Sequence, residues 1–285
     1  MALFDDRLCT LGEGPLWHPL RNQLFWFDIM GKALLSRSGD MIKQWDFDEY
    51  VSAGGWVDHD RILMASYTSL SVFNLETGAR EKLCDLEADK PENRCNDGRA
   101  DAHGGFWIGT MGIKSEPKAG AYYRYYRGEL RKLFGDITVT NGACFSADGL
   151  WACFTDTKTR LMMRVALDEH GWPKGEPHVY LDFRKDDLNI DGALFDKAGN
   201  VWIAHWGIHA VRAYGPDGRM VHEEHFPVTR VSCPAFGGDD YKTLYVTSAR
   251  SGAGQEELAR EPLAGATFVV QVPFEGQKEN QIILG

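Results

Sequence analysis

The sequence predicts an all-β fold, a six-bladed β-propeller with four-stranded blades around a central channel. Three observations carry that expectation. A segment opening its second strand on an aromatic residue recurs at intervals of roughly 41 to 50 residues, strand-like stretches with Asp/Gly turns fill the gaps, and no long helix-periodic segment competes. Such a period suits one four-stranded blade.

The repeats run in order. EGPLWHPLRNQLFWFDI begins at Glu13, GGWVDHDRILMASY at Gly54, NDGRADAHGGFWIGTM at Asn96, NGACFSADGLWACFTD at Asn141, DGALFDKAGNVWIAHW at Asp191 and CPAFGGDDYKTLYVTSA at Cys233. Each has a short apolar strand, a polar turn and a second strand. Between them lie SLSVFNLETG (69 to 78), GAYYRYYRG (120 to 128), RLMMRVALDEHG (160 to 171) and HAVRAYGPDG (209 to 218), which supply outer strands ending in turn signals. The one helical candidate, QEELAR (255 to 260), is soon ended by Pro262. The N-terminal strand and ATFVVQV (266 to 272) are placed to share the closing blade, so residues 1 to 285 are expected to form a single propeller domain.

Composition excludes several functions. With 44% apolar residues and nine Trp the chain can bury a substantial core, and a net charge of -10 argues against a phosphate-tracking surface. No nucleic-acid partner is expected. The N-terminus MALFDDRLCTLGEG lacks the basic and apolar regions of a signal peptide, and no run of about eighteen apolar residues occurs. The expectation is a cytoplasmic chain without membrane association, a monomer or weak homo-oligomer. Its six cysteines form no CxxC pair and lie in apolar strand-like segments, so they read as reduced thiols.

Asn141-Gly142 is out of place for a hairpin loop, because the turn lies downstream at Ser146 to Gly149. Taken singly, an Asn-Gly pair is a turn. In register with the other repeats it opens an innermost strand, as do Glu13, Asn96-Asp97 and Asp191, and strand heads converge around a propeller's axis. Converging acids and amides require either a cation or an extensive hydrogen-bond network. Oxygen donors of this kind suit a hard divalent ion such as Ca²⁺, Mg²⁺ or Mn²⁺.

LGEGPLWHP (11 to 19), RCNDGRADAHGGFWIGTM (94 to 111), TNGACFSADG (140 to 149), IDGALFDKAGNVWIAHW (190 to 206) and CPAFGGDDYKTLYVTSAR (233 to 250) resemble the successive signatures of the senescence marker protein, gluconolactonase and luciferin-regenerating enzyme family. Regucalcin and bacterial sugar lactonases belong to it. The resemblance implies one divalent cation held by Glu13, Asn141 and Asp191, with Ca²⁺ the first candidate and Zn²⁺, Mn²⁺, Mg²⁺ or Fe²⁺ also compatible. It implies substrate contacts from Arg94 and Asn96, supported by Asp97, and from Glu116 in a more variable loop. His205-Trp206 stands where regucalcin-like proteins have Cys-Tyr, a pattern closer to the bacterial lactonases.

The expected activity is hydrolysis of a sugar lactone to its aldonic acid, with Asp191 also accepting the water proton. Two other readings use the same centre: an organophosphate or ester hydrolase, and a non-catalytic calcium-binding propeller. His205 and His209 have zinc-helix spacing but lie in a strand-like segment, where a zinc site is not expected. No nucleophile elbow surrounds Ser146 or Ser248. Most Trp residues read as core, with Trp17 and Trp206 candidates to border the pocket and stack on a sugar ring.

Overall fold

Segments rich in Val, Ile, Leu and aromatic residues, broken by Gly and Asp turns, pair with their sequence neighbours as antiparallel meanders. The computed structural model describes residues 1–285 and folds them into six four-stranded sheets, as the repeat predicts. Blade 1 comprises Gly12–His18, Gln23–Asp28, Ala33–Ser38 and Met41–Asp46, and blade 2 comprises Val51–Trp56, Arg61–Ser66, Ser69–Asn74 and Arg80–Asp85. Blade 3 runs Asn93–Ala100, Phe106–Gly112, Gly120–Tyr126 and Glu129–Ile137; blade 4 runs Thr140–Phe145, Trp151–Asp156, Leu161–Leu167 and Pro173–Asp182. Blade 5 holds Ala193–Phe195, Val201–His205, Ala210–Tyr214 and Met220–His225. Blade 6 holds Val231–Gly237, Thr243–Ser248 and Thr267–Gln271, and Ala2–Asp5 from the other end of the chain completes it.

The innermost strands are covered on both faces, so they do not alternate in burial: every residue of Gly12–His18 is buried, whereas Met41–Asp46 at the rim is mostly exposed. Six apolar clusters fill the six spaces between consecutive blades. Leu16, Phe25 and Phe27 meet Val51 and Met64 between blades 1 and 2, and the ring closes where Trp17 and Trp26 meet Ala235 and Tyr245 of blade 6. Trp26, Trp107 and Trp202 on second strands are fully buried. Trp17 stacks on Tyr245 at 5.4 Å and is core, not pocket wall. Gln255–Arg260 is the single α-helix, and no helix is long and apolar enough to cross a membrane. All six cysteines are unpaired.

The register of the inner strands positions the site. A β-bulge interrupts the first strand pair near its head in blades 1, 2, 3, 4 and 6, which re-aims the neighbouring side chains. Aligning the strands gives the frames EGPLW, SAGGW, NDGRA, NGACF, DGALF and SCPAF, so the head residues are Glu13, Ser52, Asn96, Asn141, Asp191 and Ser232. Heads at Gly54 and Cys233 are therefore corrected to Ser52 and Ser232. Gly54 and Cys233 are small residues inside the same strands, and nothing local distinguishes them from a strand opening.

The opposite end of the inner strands, four residues or about 13 Å further on, is crossed by the C-terminal chain. The Gln277 amide donates to Phe145 O and Asp196 O, Ile282 N–H to Trp56 O and Ile283 N–H to Gly104 O. The Arg99 guanidinium forms an ion pair with Glu279 inside this strap. The C-terminal chain thus lies across this end of the channel.

Candidate metal centre and active-site cavity

A cavity of about 300 Å³ opens at the head end, and Glu13, Arg94, Asn96, Asn141 and Asp191 all line it. Residues separated by up to 178 positions, from Glu13 to Asp191, thus share one wall because each sits at the same place in its blade. Two glycines make the heads possible. Gly14 and Gly142 have φ of +51° and +69°, left-handed backbone that a side chain disfavours, and a Cβ at Gly14 would stand 2.6 Å from Ser52 O. This is what an Asn-Gly does at the start of a strand.

The carboxylates are in an unusual electrostatic setting. Burial, and then the neighbouring charge of Asp97, pushes the Glu13 carboxyl up to about 8. Asp191 is raised well above the usual carboxylate range by burial and by the charges of Glu13 and Asp97. Asp97 is raised by burial, while its Oδ2 accepts the Ala143 N–H at 2.9 Å. The cavity's arginine does not neutralise the pair by direct contact: Arg94 Nη1 donates to Cys95 O at 2.8 Å and Asn96 Oδ1 at 2.7 Å, and its buried Nε has no partner. Burial itself holds the Arg94 guanidinium below its ordinary range.

Two buried carboxylates side by side with one amide oxygen fit a hard divalent cation, which would supply the positive charge the protein does not. No cluster of three or more His, Cys, Asp and Glu side chains occurs; beside Glu13 and Asp191 the cavity wall offers the Asn141 amide. The set contains no thiolate or imidazole that would select a softer metal.

Glu116 is not brought to this wall. Its Oε2 accepts the Lys114 N–H at 3.0 Å, and Ser115 lines the cavity instead. Trp206 does line it, with Met111 and Val139 as apolar neighbours. His205 and His209 do not share a strand face: His205 ends a strand and is buried against Asn189 O and Tyr214 Oη, with its imidazole pushed down to about 4 by burial, while His209 lies in a turn at φ +62°. Thr157, Lys158, Asn189 and Ser251 also line the cavity and were not singled out from sequence. Thr157 and Asn189 carried one available signal, standing directly after a second strand and two residues before Asp191.

A family model described as the SMP-30/Gluconolactonase/LRE-like region matches residues 11–250. A Rhizobium meliloti (strain 1021) protein assigned by name to the sugar lactone lactonases is 39% identical, covering 96% of this chain and 94% of its own. A 6-deoxy-6-sulfogluconolactonase of Pseudomonas putida is 32% identical over 95% of this chain and 94% of its own. Among solved structures, a calcium-binding regucalcin from Agrobacterium tumefaciens superposes with a TM-score of 0.97 at 35% identity, covering 99% of this chain and 97% of that one.

Proposed function

The chain belongs to the SMP-30/Gluconolactonase/LRE-like family, and from that premise we propose that it is a divalent-metal-dependent sugar lactonase that opens an aldonolactone to the aldonic acid. Homology to sugar lactone lactonases supports lactone hydrolysis. The observation that carries the finer reading is the meeting of Glu13 and Asp191, two raised buried carboxylates, with Asn141, Arg94 and Asn96 on one cavity wall.

Glu13, Asn141 and Asp191 are the proposed ligands. When bound, the cation supplies Lewis-acid polarisation of the ester carbonyl and lowers the pKa of water. Asp191 accepts the proton of the attacking water and returns it to the ring oxygen as the ester C–O bond breaks. Arg94, whose side chain lines the cavity, donates to the oxygen on which negative charge develops, and Asn96 orients that guanidinium through its Oδ1. Met111, Val139 and Trp206 exclude water from the apolar ring face.

A pH-indicator assay on a panel of sugar lactones tests this, run after chelation and with Ca²⁺, Zn²⁺, Mn²⁺, Mg²⁺ or Fe²⁺ restored in turn. Turnover is expected to vanish on chelation and to return with at least one ion. Absence of turnover with every ion and every lactone would sink the enzymatic reading. A non-catalytic calcium-binding propeller would then stand, a reading supported by the calcium-binding relative at 35% identity.

A further inference from the structure

An amide presents an oxygen to a cation only if its nitrogen is turned away, and the two ends of an Asn side chain have nearly the same shape. Something must choose. Around Asn141 the hydrogen bonds form a chain whose two ends have no freedom. It starts at the Arg94 guanidinium, which can only donate, to Asn96 Oδ1 at 2.7 Å. Asn96 Nδ2 then donates to Thr140 O at 2.7 Å and to Asn141 Oδ1 at 3.0 Å. Asn141 Nδ2 donates to Thr157 Oγ1 at 2.9 Å, and the Thr157 hydroxyl gives its one proton to Ile190 O at 2.7 Å, a carbonyl that can only accept.

From this directed chain, and resting on the metal-site reading above, we infer that Thr157 is a positioning residue that locks the Asn141 amide with its oxygen toward the cation and its nitrogen away. Because the hydroxyl proton is committed to Ile190 O, only a lone pair remains for Asn141, and only an N–H satisfies it. A reversed amide would set Asn141 oxygen against the Thr157 lone pair and Asn141 nitrogen against Asn96 nitrogen. The Thr157 hydroxyl thereby also bonds blade 4 to the residue preceding Asp191.

Thr157 is itself held firmly. The Asp156 carboxylate accepts the N–H groups of Thr138, Val139 and Lys158, and Thr157 N–H donates to Val139 O at 3.0 Å. These bonds do not involve the hydroxyl. Removing it therefore leaves the turn intact and frees the Asn141 amide and the Ile190 carbonyl.

The test is calorimetric titration of Ca²⁺ and of Mn²⁺ into the chelator-stripped full chain, with its melting temperature in chelator as the control for folding. Thr157→Val is expected to weaken cation binding about 10- to 100-fold, the range for losing a partner that orients a ligand, with only a small drop in metal-free melting temperature from the two lost hydrogen bonds. Thr157→Ser keeps the hydroxyl and is expected to keep the affinity. In an Asn141→Asp background both side-chain ends are oxygens, so the Thr157→Val penalty is expected to largely disappear. Thr157→Ala serves as the second hydroxyl-free variant should the valine fail to fold. Hydroxyl-free variants that bind as tightly as the parent, a serine variant as weak as valine, or a penalty unchanged in the Asp background would each overturn the inference while leaving the metal site standing. A parent chain showing no cation binding that Glu13→Gln abolishes would remove both.

Discussion

At the head end of the channel Glu13 and Asp191 face each other with no counter-ion of their own; at the strap end, on the same inner strands, Arg99 and Glu279 form a complete ion pair under the C-terminal chain. The side chains of Arg99 and Glu279 are only 13% and 9% exposed, so both ends bury charge. One end balances it and the other does not. A protein selected only to close its channel would use the balanced arrangement twice. The unbalanced end is where the repeat's equivalent positions have been given Glu, Asn and Asp, and its electrostatic cost is what the proposed cation would offset.

The most drastic way to break this contrast is to alter the unbalanced end. Asp191→Asn is expected to lower lactone turnover by about 10²- to 10⁴-fold, the usual worth of a positioned proton acceptor, and to raise the melting temperature of the metal-free chain, because one of two repelling carboxylates is gone. A functional carboxylate should behave this way. If metal-free stability fell instead, Asp191 would be a structural hydrogen-bonding group and the contrast between the ends would collapse.

At the strap end the expectation reverses. Glu279→Gln leaves the Arg99 guanidinium without its counter-ion, and urea denaturation is expected to show a loss of about 3 kcal/mol, while kcat of the folded enzyme is unchanged. The strap also accepts bonds from Trp56 Nε1 and Asn280 donates to Ala100 O, so it seals blades 2 and 3 to the rest of the ring. A drop in kcat at full folding would mean that the strap end communicates with the cavity.

The two ends also differed in how far the sequence revealed them. The blades were legible because a Gly or Asp turn followed by an aromatic strand repeats, and Glu13, Asn141 and Asp191 could be set in register by the Gly after each. Ser52 and Ser232 were missed because neither is followed by Gly, while Gly54 and Cys233 nearby imitate an opening. Trp17 looked identical to a pocket residue, since a strand's pattern does not say which blade its face meets. The strap left no trace: its bonds reach across the ring, as from Gln281 Nε2 to Val57 O over 224 positions, and no periodicity encodes them. Thr157 was invisible for a related reason, its role arising from a bond between blades to Ile190 O.

The smallest expected effect concerns pH and isolates the head end. Glu13, raised from its ordinary 4.5 to about 8, holds a proton in the metal-free folded chain that the unfolded chain has already released. The folded state binds more protons, so this group's stabilisation is complete below about pH 4.5 and is lost as pH rises toward 8. His18 and His205, both pushed down to about 4 by burial, act in the opposite direction: their contribution is present above their ordinary 6.5 and is lost as pH falls. Between pH 6.5 and 8 the unfolded chain's His18 and His205 release the last of their protons, an opposing contribution smaller than that of the carboxylates. Over that window the metal-free chain is expected to lose about 1 kcal/mol net, from 1.36 kcal/mol for each full unit of pH, and the loss should shrink in Glu13→Gln and disappear in saturating Ca²⁺. Urea denaturation at the two pH values in chelator measures it directly. A stability that stays level from pH 6.5 to 8 would mean that Glu13 is already ionised beside Arg94, and the head end would then be as balanced as the strap.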